Sequence, residues 1–522
     1  MAQQSVHVLR TRTARPRVTE AGWLAIGVVL LATAIATASV VTLTRSAHTA
    51  ASVSVRTHEP QAATSVLTGS PSIASASTAR TLFARAPVVI VASTASRADL
   101  ASADAIAGRA HAPMLLIPPL AATADVAALR STVRALATSA VLAVGVPRHT
   151  IAADLPHIQL VSSASALPVT TAPASMRSVA VLVHTDPSAD ATALAVAATA
   201  TARAAGVRVI YLPGYDPRAD PAAISALAAA RPQRVLAVGT GFGSASLLGA
   251  RLAVAETGVQ LPGGGQVLFP ARRIVALYGT PGTPVLGVLG HQGLTASIVR
   301  AKATAAQYSR LAKVAVIPAF EIIATVAQAS PGRQHTYSFE SSVSSLRPWV
   351  SAATKAGMYV TLDLQPGRAS LLAQAKRYQS LLQLPNVGLA LDPEWKLQPG
   401  QLPLHQIGSV SITEVNSVAS WLASLTARDH LPQKLLELHE FRLAMIQDMA
   451  RLDTSHDDIA IVINMDGQGA PRTKLATWQA VVGNAPKAVY FGWKDFYTKD
   501  TPMLGPVLTI RHHPEPVLIS YQ

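Results

Sequence analysis

Short runs of aliphatic and β-branched residues alternate with longer Ala-rich stretches of helical character from Pro87 to the end of the chain, and this alternation limits the fold more than any other feature. Successive strands separated by helices pair in parallel, and a parallel sheet is covered by helices, so the fold class is α/β. The alternation occurs in two blocks. Residues 87–93, 113–119 and 140–145 read as strands, with helices at 97–111 and 123–136. The same order recurs with strands at 178–184, 207–213 and 234–239 and helices at 189–206 and 220–232. Repetition argues for two related units of open, Rossmann-like α/β structure spanning 81–265.

The first unit, residues 88–145, resembles the cell wall-binding repeat 2 family. The likeness rests on Asp99-Leu100 at a helix start, on "APMLLIPP" and on "LAVGV"; the second unit matches more loosely, and the family's Arg-Tyr-x-Thr-Ala segment is not evident. The resemblance implies binding of an anionic wall polymer, which suits a chain of net charge +15. The other reading is a spacer domain with no ligand. Gly239, Gly241 and Gly243 stand where a dinucleotide loop would stand, but their spacing is not the full fingerprint, and a tight strand-to-helix turn accounts for them.

Ahead of these units, residues 1–20 carry Arg10, Arg12, Arg15 and Arg17, and residues 21–43 carry no charge. At ~1.5 Å per helical residue such a run crosses a ~30 Å hydrocarbon core. Basic residues before it predict a cytoplasmic N-terminus, with the remainder of the chain outside the cell membrane. The run is longer than the ~7–15 apolar residues of a cleaved signal peptide, so it reads as an uncleaved anchor. Residues 44–80 are rich in Ser, Thr and Ala without an apolar period, and read as a flexible linker. The chain has no cysteine, which excludes disulfides, thiolate metal sites and a cysteine nucleophile.

Near Gln266 the character changes: five of the six tryptophans and every lysine lie beyond it. The remaining stretch has the ~250 residues of a (β/α)8 barrel. Strand-like runs begin near Arg273, Val314, Tyr359, Val387, Lys434, Ile459 and Val489, with a last one at 506–510 or 517–522. Seven or eight strand–helix units over 266–522 fit a closed TIM-like barrel; an open doubly wound sheet is the second choice.

Side chains alternate between the faces of a strand. That parity turns Gly388, Ala390, Asp392 and Glu394 inward, together with Thr361, Asp363 and Gln365, Glu437 and His439, and Asn464, Asp466 and Gln468; Glu321 ends its strand on the same side. Acids and amides from adjacent strands thus converge on the C-terminal mouth, where barrel enzymes work. Two acids across a cleft support glycoside hydrolysis, one as proton donor and one as base or nucleophile. Glu394 is the expected general acid, with Asp392 coupled to it. Asp363 and Asp466 are the candidates for the second carboxylate, unless a substrate N-acetyl group replaces the nucleophile. Glu321, Gln365, His439, Asn464 and Gln468 would bind substrate, and Trp395, Trp493, Tyr490 and Tyr278 would offer apolar faces to sugar rings.

Asp-x-Glu at a strand end resembles the barrels of glycoside hydrolase families 18 and 25. The first has a longer Asp-rich motif, and Val387 and Ala390 occupy the places of two of its acids; the second uses an early Asp that the first strand here lacks. The resemblance implies a wall or capsular glycan, including peptidoglycan, as substrate. The alternative is a wall-binding or scaffolding protein with a non-catalytic barrel. His439 with Asp392, Glu394 and Asp466 has no recognisable metal spacing, so neither metal nor cofactor is expected. No Gly-x-Ser-x-Gly elbow supports a serine hydrolase. Scattered charge and an extracytoplasmic location argue against nucleic acid as a partner.

Overall fold

The computed structural model describes residues 52–185 and 188–522, and residues 50–522 form one compact unit. The expected membrane helix at 21–43 lies outside the described residues. Among those that are described, no helix is long and apolar enough to cross a membrane.

The α/β region contains two four-stranded parallel sheets. One has the order Met114–Ile117, Val88–Ser93, Ala140–Val144, Gln159–Val161; the other has Val207–Leu212, Met176–His184, Arg234–Val238, Thr64–Leu67. The three expected strands of each unit therefore pair alike, and each sheet gains a fourth. In the first the extra strand follows in sequence, and in the second it comes from upstream of both units.

That upstream strand corrects the expected linker at 44–80 over its described part, 52–80, and with it the domain start at 81. Thr64–Leu67 pairs with Arg234–Val238, and Pro71–Leu82 is a helix whose Ala74, Ala76, Ala79 and Leu82 are buried. Small residues conceal this helix from a search for apolar period, yet they let it pack closely. The Ser70 hydroxyl accepts the Ile73 amide at its start. The buried hydroxyls of Ser75 and Thr78 donate to backbone carbonyls of the same helix. Ser75 also accepts the Leu116 amide, and Thr201 accepts that of Met114, so hydroxyls cap the sheet edge that would otherwise stay unpaired. Val89, Val91 and Val141 of one sheet share a core with Val181, Val183 and Leu236 of the other.

The C-terminal region is a closed barrel of eight parallel strands. They are β1 (Arg272–Gly279), β2 (Ala315–Ala327), β3 (Tyr359–Leu364), β4 (Val387–Leu391), β5 (Lys434–His439), β6 (Ile459–Met465), β7 (Tyr490–Asp495) and β8 (Leu518–Tyr521). Neighbours follow chain order, and β1 closes on both β2 and β8. The 517–522 run is thus the last strand, while 506–510 carries the short helix Pro506–Thr509. Long helices Leu294–Ser309, Val343–Lys355, Ile412–Arg428 and Pro471–Asn484 cover the outside. Residues 441–452, whose Leu443, Ile446 and Met449 carry helical spacing in the sequence, instead form two 3₁₀ turns around Ile446–Gln447, which pairs in parallel with Val410–Ser411.

The predicted parity decides how the barrel packs. Val387, Leu389, Leu391, Leu436, Leu438, Ile461 and Ile463 join the layer beneath the helices. Each such side chain contributes roughly 1.5–3 kcal/mol on burial. Inside, Ile274, Ile317, Tyr359, Leu435, Val462 and Leu518 fill the lower barrel with Leu268 and Phe269. Below it, buried Arg218 pairs with Asp216 at 2.8 Å and with Asp457, just before β6, at 2.7 Å. Arg251 reaches the same Asp457 at 2.7 Å. The α/β region is therefore joined to the barrel on the side opposite its mouth.

Candidate active site

Above the apolar plug the inward rows turn polar. Register places Tyr278 beside Glu321, Glu321 beside Thr361, Ala390 between Asp363 and Glu437, and His439 beside Asn464. Glycine and alanine at Gly388 and Ala390 leave room for the larger neighbours; a Cβ at Gly388 would come within 2.8 Å of the Leu435 side chain.

Around this layer the polar groups interlock. The Tyr278 hydroxyl donates to Asp363 at 3.0 Å, and the Gln365 amide donates to Tyr278 at 3.3 Å. The Asn464 amide donates to Glu437 at 2.6 Å. His439 Nε2 lies 2.9 Å from Glu321 and 3.6 Å from Glu437, and its Nδ1 lies 3.3 Å from Asp466, all without hydrogen-bond alignment. Lys494, at the end of β7, holds its ammonium 3.3 Å from the centre of the Tyr278 ring.

A cavity of about 410 Å³ opens at the C-terminal end of the strands. Glu394, Asp466 and Lys494 line it with Gln365, Gln468, Tyr278 and Trp395, and with the apolar Leu286, Phe441 and Phe496. Its size suits a small ligand or a sugar unit. Glu394 stands in the 3₁₀ turn Pro393–Trp395 that follows β4. Burial, reinforced by Asp466, pushes its carboxyl up to about 7. Burial raises Asp392 well above the carboxylate range, helped by Glu394 and Asp363. Burial brings Asp363 to about 6, and Glu440, next to Asp466, to about 7. Burial opposes the charge on Lys494, but Glu321, Asp466, Asp392 and Asp363 outweigh it and raise its pKa. Burial and Lys494 likewise oppose protonation of His439, yet Asp466 and Glu321 carry it well above the usual imidazole range.

Six of the expected site residues therefore meet in the cavity wall: Glu394, Asp466, Gln365, Tyr278, Trp395 and Gln468. Asp392, Asp363, Glu321, His439 and Asn464 are buried and do not line it. Two expectations are corrected. Tyr490 points inward but at the wrong end of β7, where its hydroxyl donates to the Phe269 carbonyl at 3.2 Å. Trp493 points outward, packing 5.7 Å from Trp478 and 4.1 Å from a buried His512. The residue of β7 that reaches the mouth is Lys494, which sequence reading missed. Inward parity through Tyr490 and Gly492 leads to it once the strand is extended past Trp493.

No protein-family model, curated protein or solved structure matches the chain.

Proposed function

We propose that the barrel is a glycoside hydrolase whose cavity cleaves a cell-envelope glycan, held outside the membrane by the N-terminal apolar run. One observation carries this reading: Glu394 lines a sugar-sized cavity with its carboxyl pushed up to about 7, and Asp466 lines the same cavity. A carboxyl that titrates near neutrality is protonated often enough to donate to the leaving oxygen. Asp466 is then the second carboxylate. Asp363 is less suited, because the Tyr278 hydroxyl occupies one of its oxygens below the wall. Lys494 offsets Asp466 and stands where an anionic group or a sugar hydroxyl would approach. Trp395, Phe441 and Phe496 supply the apolar faces that Tyr490 and Trp493 do not. The α/β region, by its likeness to wall-binding repeats, would hold the chain on the polymer.

The test compares the purified full-length chain with its Glu394→Gln variant. Removing a general acid costs about 10²–10⁴ in rate. Loss of turnover with unchanged sedimentation on purified walls supports the reading. Equal sedimentation with no turnover by either protein supports a wall-binding protein with a non-catalytic barrel.

A further inference from the structure

Behind the cavity wall lies a second constellation that the acid–base reading does not use. Glu321 stands in the inward row of β2, one step before the cavity-lining Ile323, and Glu437 and His439 stand two residues apart on the inward face of β5. All three are fully buried. Among the described residues, neither carboxylate oxygen of Glu321 nor Oε2 of Glu437 meets a hydrogen-bond donor, and neither ring nitrogen of His439 is aligned with a partner. Glu321 has His439 Nε2 beside it at 2.9 Å but out of alignment, and buried charge held without aligned hydrogen bonds is costly.

We propose that Glu321, Glu437 and His439 bind a divalent transition-metal ion of the zinc type. The donor set, one imidazole nitrogen and two carboxylates, is one that zinc accepts, leaving a fourth position open. One ligand atom from each residue lies within 4.8 Å of the other two. His439 Nε2 stands 2.9 and 3.6 Å from the carboxylates. Around a tetrahedral ion with bonds of about 2.0–2.1 Å, ligand atoms stand roughly 3.3 Å apart, so the side chains need little movement to close on one. A dication would balance the two carboxylates.

The surroundings match what holds ligands in place. Asp466 approaches the other ring nitrogen of His439 at 3.3 Å, as the carboxylate partner of a metal-bound histidine does. Asn464 donates at 2.6 Å to Glu437 Oε1, the oxygen that stands 3.6 Å from His439 Nε2, and so fixes the orientation of that carboxylate. The strands fix all three ligands on rigid backbone. Asp466 belongs both to this support and to the cavity wall, so the ion would stand directly behind the proposed reaction centre. The site does not depend on the cavity's being a glycosidase.

The experiment uses the purified full-length chain, stripped with a chelator and titrated with zinc alone. Binding is read by calorimetry, by metal content after dialysis and by thermal melting. The proposal expects about one retained zinc per chain and a rise in melting temperature on refilling. Glu321→Gln and His439→Gln should abolish that retention, and Asp466→Asn should weaken it about 10–100-fold. Glu394→Gln should keep the zinc while losing turnover, which separates this proposal from the one above. Absence of zinc uptake by the stripped parent overturns the site, as does equal uptake by Glu321→Gln. Should the variants fail to fold, the parent's melting shift decides alone, and no shift overturns the proposal.

Discussion

At the scale of single residues, the two most informative groups, half-buried Glu394 and buried Lys434, titrate far from where their side chains usually do. Glu394 must be protonated to act as an acid, and burial beside Asp466 places its carboxyl at about 7. Turnover should therefore decline as pH rises through about 7, a limb visible in the pH profile of kcat/KM. Lys434 is fully buried at the start of β5, where its ammonium donates to the carbonyls of Leu384 and Pro385. Burial pulls its pKa down to about 7. In the unfolded chain a lysine holds its proton up to ~10.4. The folded state thus binds fewer protons between these values, so this residue's contribution to stability grows as pH rises through that window and is lost as pH falls toward about 7. Urea denaturation across the window should show that gain in the parent and a flatter response in Lys434→Met. Neither shift is legible in sequence, because desolvation depends on what the fold packs around the group. What the sequence does show is the two-residue spacing of Asp392 and Glu394 at the end of an apolar strand.

At the scale of elements, strand parity was the readable part. A parallel strand beneath helices needs one apolar row, so Val387, Leu389 and Leu391 point outward and their neighbours point inward. The same logic brought Gln365, Glu394, Asp466 and Gln468 to one mouth. On β7 the same parity, through Tyr490 and Gly492, leads to Lys494 and turns Trp493 outward, against the expectation that Trp493 and Tyr490 face the mouth. Helical periodicity misleads at 441–452, where Leu443, Ile446 and Met449 imitate helical spacing. There Asp448 adopts a left-handed φ of 60°, and Ile446–Gln447 takes a strand partner instead. The small residues of the inward rows carry a prediction. A methyl group at Gly388 would meet the Leu435 side chain at 2.8 Å and its carbonyl at 2.9 Å. Gly388→Ala should destabilise the barrel by about 1–3 kcal/mol, the usual cost of overpacking. Denaturant midpoints would measure it, and an unchanged midpoint would show that β4 and β5 separate more easily than their packing implies.

At the scale of the whole molecule, the barrel's closed sheet and the two α/β units follow from the order of strands and helices, and the change of composition near Gln266 marks where one gives way to the other. The contribution of residues 52–80 was hidden, since an Ala- and Ser-rich helix leaves almost no apolar period even when it is buried. The junction was hidden too, because ion pairs between Arg218, Arg251 and Asp457 join residues more than two hundred positions apart. Arg218 is buried there, so Arg218→Met leaves Asp216 and Asp457 without it and should cost about 3 kcal/mol. The two regions should then unfold in separate steps, seen by tryptophan fluorescence and circular dichroism. A single transition at the parent's midpoint would mean that apolar packing alone joins them.

The most direct test of the central claim is to incubate the purified full-length chain with isolated cell walls in ¹⁸O-labelled water and to analyse the released fragments by mass spectrometry. Hydrolysis by the Glu394 site predicts new reducing ends, each carrying one label, and none with Glu394→Gln. Walls that yield no new reducing ends with the parent chain would contradict the assignment and leave the acid-lined mouth as a recognition surface.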